Sequence, residues 1–167
     1  VKVINCTKFS KIDLAIELFY KRAKPVAESL LELPPNEKDF TYTVLTNREI
    51  ALSIYSSLSR NIEVKVYSYK PWNPWSVVIG YSNGSGNIYV NERKINSLDV
   101  EEYAGNIFHE LLHVLGFSHG SNKITEKKKK SVPYAVGYLM SGKSRYPLSK
   151  YPNPLSKYPN IKQKEIA

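Results

Sequence analysis

Residues 109–119 read HELLHVLGFSH, and His109, His113 and His119 are the three histidines of the chain. Two histidines four apart on a helix project from one face, one turn from each other, so two ring nitrogens can reach one metal ion from a rigid support. Glu110 leans off that face toward the space where an activated water would sit. A helix that simply continued would carry His119 away from the other two. Gly116 stands between them, and glycine can take the left-handed conformation that turns the chain and brings a third imidazole back. Three neutral imidazoles with one position left open are a ligand set of catalytic zinc, one ion in this case, although iron, cobalt and nickel also suit it. The implied chemistry is hydrolysis. The metal lowers the pKa of water to about 7, and Glu110 takes the proton as general base and returns it to the leaving group.

The element that must position these groups is a helix starting near Asp99. Asp99 and Glu102 have the spacing of a capping box, and acidic residues suit a helix N-terminus. Tyr103, Ile107, Leu111 and Leu115 form an apolar stripe flanked by Ala104, Phe108 and Leu112, so one face is expected to be buried. Gly105, one turn before His109, is expected to keep the approach to the metal open. Upstream, residues 1–6 alternate like a strand. Residues 10–33 read as a long helix that Ser10 can cap, that Pro25 should kink and that Pro34-Pro35 stop. Strands are expected at 41–46 and 62–69, with a helix at 47–60 between them. Residues 75–82 and 87–92 read as strands joined through NGSG in a hairpin, with PWNPW (71–75) as a stiff aromatic loop before it. The fold class is therefore α/β (α+β), a mixed sheet of about five strands with helices.

The 42% hydrophobic and 23% charged residues suit a globular chain. No apolar run is long enough to span a bilayer. The opening VKVINCTKF is too polar for a signal peptide, and one cysteine, Cys6, excludes an internal disulfide framework. Both lean toward a cytoplasmic protein, with a secreted mature form kept open. The net charge of +9 is localised: residues 1–120 hold 13 Lys/Arg against 13 Asp/Glu, whereas residues 121–167 hold 11 against 2. Lys127 to Lys130 and the basic tail are therefore the candidate surface for an anionic partner. That tail, residues 148–167, contains two SKYPN copies and is expected to be extended rather than packed as a solenoid.

The pattern His109-Glu110-x-x-His113-x-x-Gly116-x-x-His119 resembles the signature of the metzincin zinc peptidases. The resemblance implies a zincin fold with an antiparallel edge strand, a long N-terminal helix, an active-site helix and a small C-terminal subdomain. It divides the chain into a catalytic domain at 1–147, with subdomains 1–116 and 117–147, and the tail. It implies a methionine turn, for which Met140, the one methionine, lies 21 residues beyond His119. It also implies that a peptide or protein substrate binds in extended form along the edge strand, here the backbone of Val77, Val78, Ile79 and Gly80, with PWNPW bordering the cleft. TVLTNREIA and VIGYSNGSGNIYVNERK are similar to the archaemetzincins. That group follows the third histidine with a four-cysteine second zinc motif, whereas Gly120, Ser121 and Asn122 stand there and no cysteine follows Cys6. Astacin- and serralysin-like members place a tyrosine two residues after the methionine. Gly142 occupies that position, and neither Tyr138 nor Tyr146 matches, so no catalytic tyrosine is assigned.

The expected activity is zinc-dependent endopeptidase action by a monomer. Two other readings of the same residues are a zinc hydrolase of a non-peptide amide and a basic interaction module with a non-catalytic metal. A structural zinc normally takes four protein ligands, and neither a fourth histidine nor a nearby cysteine exists to complete one.

Overall fold

Among the described residues, a sheet and five α-helices built around one hydrophobic core position the histidine segment. The computed structural model describes residues 1–83, 85–120 and 123–142. In chain order the elements are β1 (Lys2–Asn5), α1 (Ser10–Leu30), α2 (Asn47–Leu58), β2 (Glu63–Tyr69), β3 (Gly80–Ser82), β4 (Ile88–Asn91), α3 (Val100–Val114), α4 (Glu126–Lys129) and α5 (Val132–Ser141). The duplicated tail at 148–167 lies outside the described residues.

The sheet has four strands rather than five, in the order β1–β2–β4–β3. β1, β2 and β4 run parallel, and β3 is antiparallel to β4 at the edge. Alternation sets its faces. Val64, Val66, Ile88 and Val90 are buried toward the helices. On the opposite face Tyr67, Tyr89 and Tyr81 stack ring on ring across three strands.

The missing strand is 41–46. Thr41 makes one isolated bridge to Ser131, Tyr42 has φ 61°, and Val44 is 81% exposed. Its alternating pattern lacks a neighbouring strand to pair with, and strand propensity expresses itself only through such neighbours. The segment instead clips onto α4, with the Thr41 hydroxyl donating to the Lys127 carbonyl at 2.6 Å. The edge strand is also shorter than expected. Residues 75–79 are loop, held by local bonds such as Trp75 N–H to Asn73 Oδ1, and only Gly80–Ser82 pairs.

α1 begins one residue earlier than the capping pattern implies: Phe9 is the N-cap, without a side-chain bond, and Ser10 is already helical. The helix continues through Pro25 to Leu30. α2 carries a full capping box from Thr46 and Glu49. α3 is packed between α1 and α5, with Tyr103, Ile107, Phe108, Leu111 and Leu112 fully buried. No helix among the described residues is long and apolar enough to cross a membrane.

Candidate metal centre

α3 is built at both ends by local chemistry. At its start the Glu102 amide donates to Asp99 Oδ1 at 2.6 Å, while the Asp99 amide donates to Glu102 Oε2 at 3.0 Å, closing the capping box. At its end Gly116 has φ +94°. The Gly116 amide donates to the His113 carbonyl and the Phe117 amide to the Leu112 carbonyl, both at 3.0 Å. Those two bonds are a Schellman motif, and the buried Leu112 and Phe117 supply its usual apolar pair. The turn sends the chain back so that His119 faces α3.

The three imidazoles meet. Nε2 of His109 lies 3.2 Å from Nε2 of His113 and of His119, and the last two are 3.0 Å apart. Two nitrogens bound at about 2.0–2.1 Å to one tetrahedral zinc lie roughly 3.3 Å apart, so the cluster fits one such ion. The outer nitrogens decide the protonation state. His113 Nδ1 bonds to the Phe117 carbonyl at 2.8 Å and His119 Nδ1 to the Gly120 carbonyl at 3.2 Å. His109 bonds to the backbone of Pro133, which has no N–H and can only accept. Each ring therefore carries its proton on Nδ1 and turns a bare Nε2 lone pair inward. Three lone pairs at 3.0–3.2 Å repel unless a cation sits among them.

Electrostatics agree with that assignment. Burial pushes the His109 pKa down to about 3, with His113 and His119 adding to the effect. Burial also lowers His113 and His119. All three stay neutral at pH 7, the form that binds metal. Among the described residues these are the group of His, Cys, Asp or Glu side chains placed to share an ion.

Glu110 lies beside the cluster, with Oε1 4.0 Å from His109 Nε2. It is 5% exposed, and burial raises its pKa to about 7 against the opposing bonds it accepts from the Ser82 hydroxyl and amide. Ser82 ends β3, so the edge strand and the acid are tied together. Gly80 makes that contact possible, because a Cβ there would lie 2.5 Å from Asn106 Oδ1 on α3. Of the four residues expected to bind substrate, only Gly80 is in the strand. Val77 and Val78 are exposed loop, and the Ile79 and Val78 carbonyls are taken by the Asn91 amide and side chain, both at 2.8 Å.

Two further expectations change. Gly105 does not open the approach to the site: it is where α5 touches α3, and a Cβ there would lie 2.7 Å from the Gly137 carbonyl oxygen. Met140 sits within the last turn of α5, not in a separate turn after the third histidine. It is fully buried, and its carbonyl accepts a 2.8 Å bond from the buried Arg22.

α5 contributes a residue that sequence reasoning missed. The Tyr134 ring packs edge-on to His109 at 4.6 Å and tilted against His119 at 4.9 Å. Burial raises its phenol pKa, and the charges of Tyr138 and Glu110 raise it further. A helical signal was available, with Pro133 in the first turn and Gly142 just past the end. The lysine run is not one solvated patch. Lys129 pairs with Glu126 at 2.6 Å, Lys127 lies over the Tyr42 ring, and Lys128 is 4% exposed with its ammonium 5.3 Å above Tyr134.

Comparisons with protein-family models, with curated proteins and with solved structures find no match for this chain. The functional reading therefore rests on the residues and their geometry.

Proposed function

We propose that this chain is a zinc-dependent endopeptidase. The observation that carries the reading is the set of three inward Nε2 lone pairs, each aimed by a backbone carbonyl on its Nδ1. The spacing from His109 to His119, which resembles that of the metzincins, supports it, and so does Glu110 at the rim of the cluster. His109, His113 and His119 would hold the ion. When bound, zinc supplies a Lewis acid that acidifies water and polarises a carbonyl.

The remaining work belongs to side chains. Glu110 has a pKa of about 7 in its buried pocket, so near neutral pH it can both accept a proton from water and release it to the leaving amine. Ser82 holds that carboxyl in place through two bonds. The short edge strand β3 would take an extended substrate beside the acid along its outer backbone groups, the Ser82 amide being already committed to Glu110. Tyr134 walls the cluster on the α5 side and limits water there.

The test combines metal analysis of the purified chain with cleavage of a peptide library. One equivalent of zinc and discrete cleavage are expected, with Glu110→Ala keeping the metal and losing hydrolysis. Absence of zinc, or wild-type turnover in Glu110→Ala, would overturn the reading.

A further inference from the structure

The segment 41–46, expected to be a strand, holds a backbone outlier instead. Among the described residues Tyr42 is the non-glycine with positive φ, at 61°. For a bulky side chain the left-handed region is unfavourable and persists only where the surroundings over-determine it. Here they do. Phe40, two residues before, is buried in the core. Thr41 is fixed to the end of α4 twice, its amide donating to the Lys130 carbonyl at 3.1 Å and its hydroxyl to the Lys127 carbonyl at 2.6 Å. Beyond the turn the Leu45 amide donates to Thr43 Oγ1 at 3.1 Å, and Leu45 packs on the core. Pinned on both sides, the chain fixes where the Tyr42 ring goes.

The ring goes to the residue after the third histidine. A Cβ on Gly120 would lie 2.7 Å from Tyr42 Cε1 and 3.0 Å from both Cζ and Oη, and these are the three nearest atoms. A bare Cα is what lets the ring come this close. The Lys127 ammonium lies 5.1 Å from the centroid of the same ring and ties it to α4. Gly120 in turn supplies the carbonyl bonded to His119 Nδ1 at 3.2 Å.

His119 needs such a support more than its two partners do. His109 and His113 ride on α3, whose packed face fixes them. His119 stands on the returning chain after Gly116, outside any helix or strand. Two residues before it Phe117 is buried, and one residue after it Gly120 meets Tyr42. The imidazole is held between an apolar anchor and a tyrosine stop. Its outer bond is the longer one, 3.2 Å against 2.8 Å for His113, so its aim depends most on where the accepting carbonyl is placed.

We infer that Tyr42 is a positioning residue of the metal centre: its ring sets the place of the Gly120 carbonyl and, through that carbonyl, the aim of His119. This rests on the metal-binding part of the proposed function. The left-handed backbone at residue 42 belongs to the same role, since it directs the ring onto Gly120.

The test reads zinc affinity by chelator competition, without turnover. Tyr42→Gly, Tyr42→Phe and Val44→Ala are compared with wild type, each with His119 present and in a His119→Ala background. Glycine suits the left-handed backbone, so Tyr42→Gly removes the ring without adding strain. It is expected to bind zinc about tenfold or more weakly, the usual effect of losing a group that orients a ligand. Tyr42→Phe keeps the ring carbons nearest Gly120 and should bind zinc like wild type. Val44→Ala, at an exposed position of the same segment, should also leave affinity unchanged. In the His119→Ala background Tyr42→Gly should have no further effect, because the ligand aimed through Gly120 is already gone. General loosening of the fold would instead lower affinity in both backgrounds. Should Tyr42→Gly fail to fold, Gly120→Ala, whose methyl must displace the ring, takes its place in the same cycle. Equal zinc affinity of wild type and the variant, or the same loss with and without His119, overturns the inference and leaves the metal centre standing. Wild type that takes up no zinc overturns the metal centre and the inference together.

Discussion

Replacing Gly105 by alanine sets two effects of opposite sign against each other. In an ordinary helix interior the change stabilises by about 0.5–1 kcal/mol, because alanine loses less backbone entropy on folding. Here the new methyl would lie 2.7 Å from the Gly137 carbonyl oxygen and 3.0 Å from Ser141 Cβ, both on α5. The nearer partner is main chain and cannot rotate away, so α5 must move. Overpacking of this kind costs about 1–3 kcal/mol, and the rigid partner places Gly105 near the upper figure. The net expectation is a loss of about 2 kcal/mol in urea or thermal unfolding. Gly137→Ala is a built-in comparison: its nearest contacts are 3.1 Å and 3.3 Å, so it should cost less. The shift of α5 also carries Pro133 away from His109, and loss of such an outer-layer bond weakens metal binding by about 10- to 100-fold in a chelator competition. If Gly105→Ala is as stable as wild type or more so, the α3–α5 contact is not as described and the reasoning fails.

Other perturbations test the site separately. Glu110 has its folded pKa raised from 4.5 to about 7, so the metal-free fold binds more protons than the unfolded chain and loses stability as pH rises through that window. Glu110→Gln should therefore stabilise metal-free protein above pH 7 by an amount on the order of 3 kcal/mol, with little change at pH 4; equal stability of the two at pH 8 would contradict the burial argument. The histidines act in the opposite direction, their folded pKa values being lowered, so metal-free protein should lose stability as pH falls from 6.5 toward the value of about 3 for His109; flat acid unfolding curves in that range would show the imidazoles are not buried neutral. Asp99→Ala should cost about 1 kcal/mol through loss of the capping box, read as a shift in the unfolding midpoint. Tyr134→Phe should keep metal affinity and Tyr134→Ala reduce it, since the ring rather than the phenol contacts His109 and His119; equal affinities would remove Tyr134 from the site wall.

What the sequence discloses follows from the range of the forces involved. The capping box at Asp99, the stop at Gly116 and the three histidines lie within 21 residues and are governed by local backbone chemistry. β2 is equally legible, because a strand buried on one face must alternate. The segment 41–46 also alternates, yet no neighbour is there to pair with it, and that absence is a property of the whole fold. Gly105 is the clearest case of a long-range cause. Its bare Cα serves Gly137, 32 positions away, rather than His109, four residues along its own helix. Ser82 at Glu110 and Lys128 over Tyr134 depend in the same way on how β3 and α4 are brought onto the core.

The carbonyls behind the three imidazoles come from Phe117, Gly120 and Pro133, and none of those bonds involves a side chain of the accepting residue. The framework that aims the histidines is thus written in main chain. Every amino acid supplies a carbonyl, so a substitution at those three positions removes none of the aiming groups; Phe117→Ala would act through its lost packing on Leu112 and Gly120→Ala through contact with Tyr42, neither by removing the carbonyl. Changes of backbone path should reveal them instead: an ester replacing the peptide bond after Phe117 or Gly120, or a one-residue insertion between Gly116 and His119, would detune the site while every ligand side chain remained.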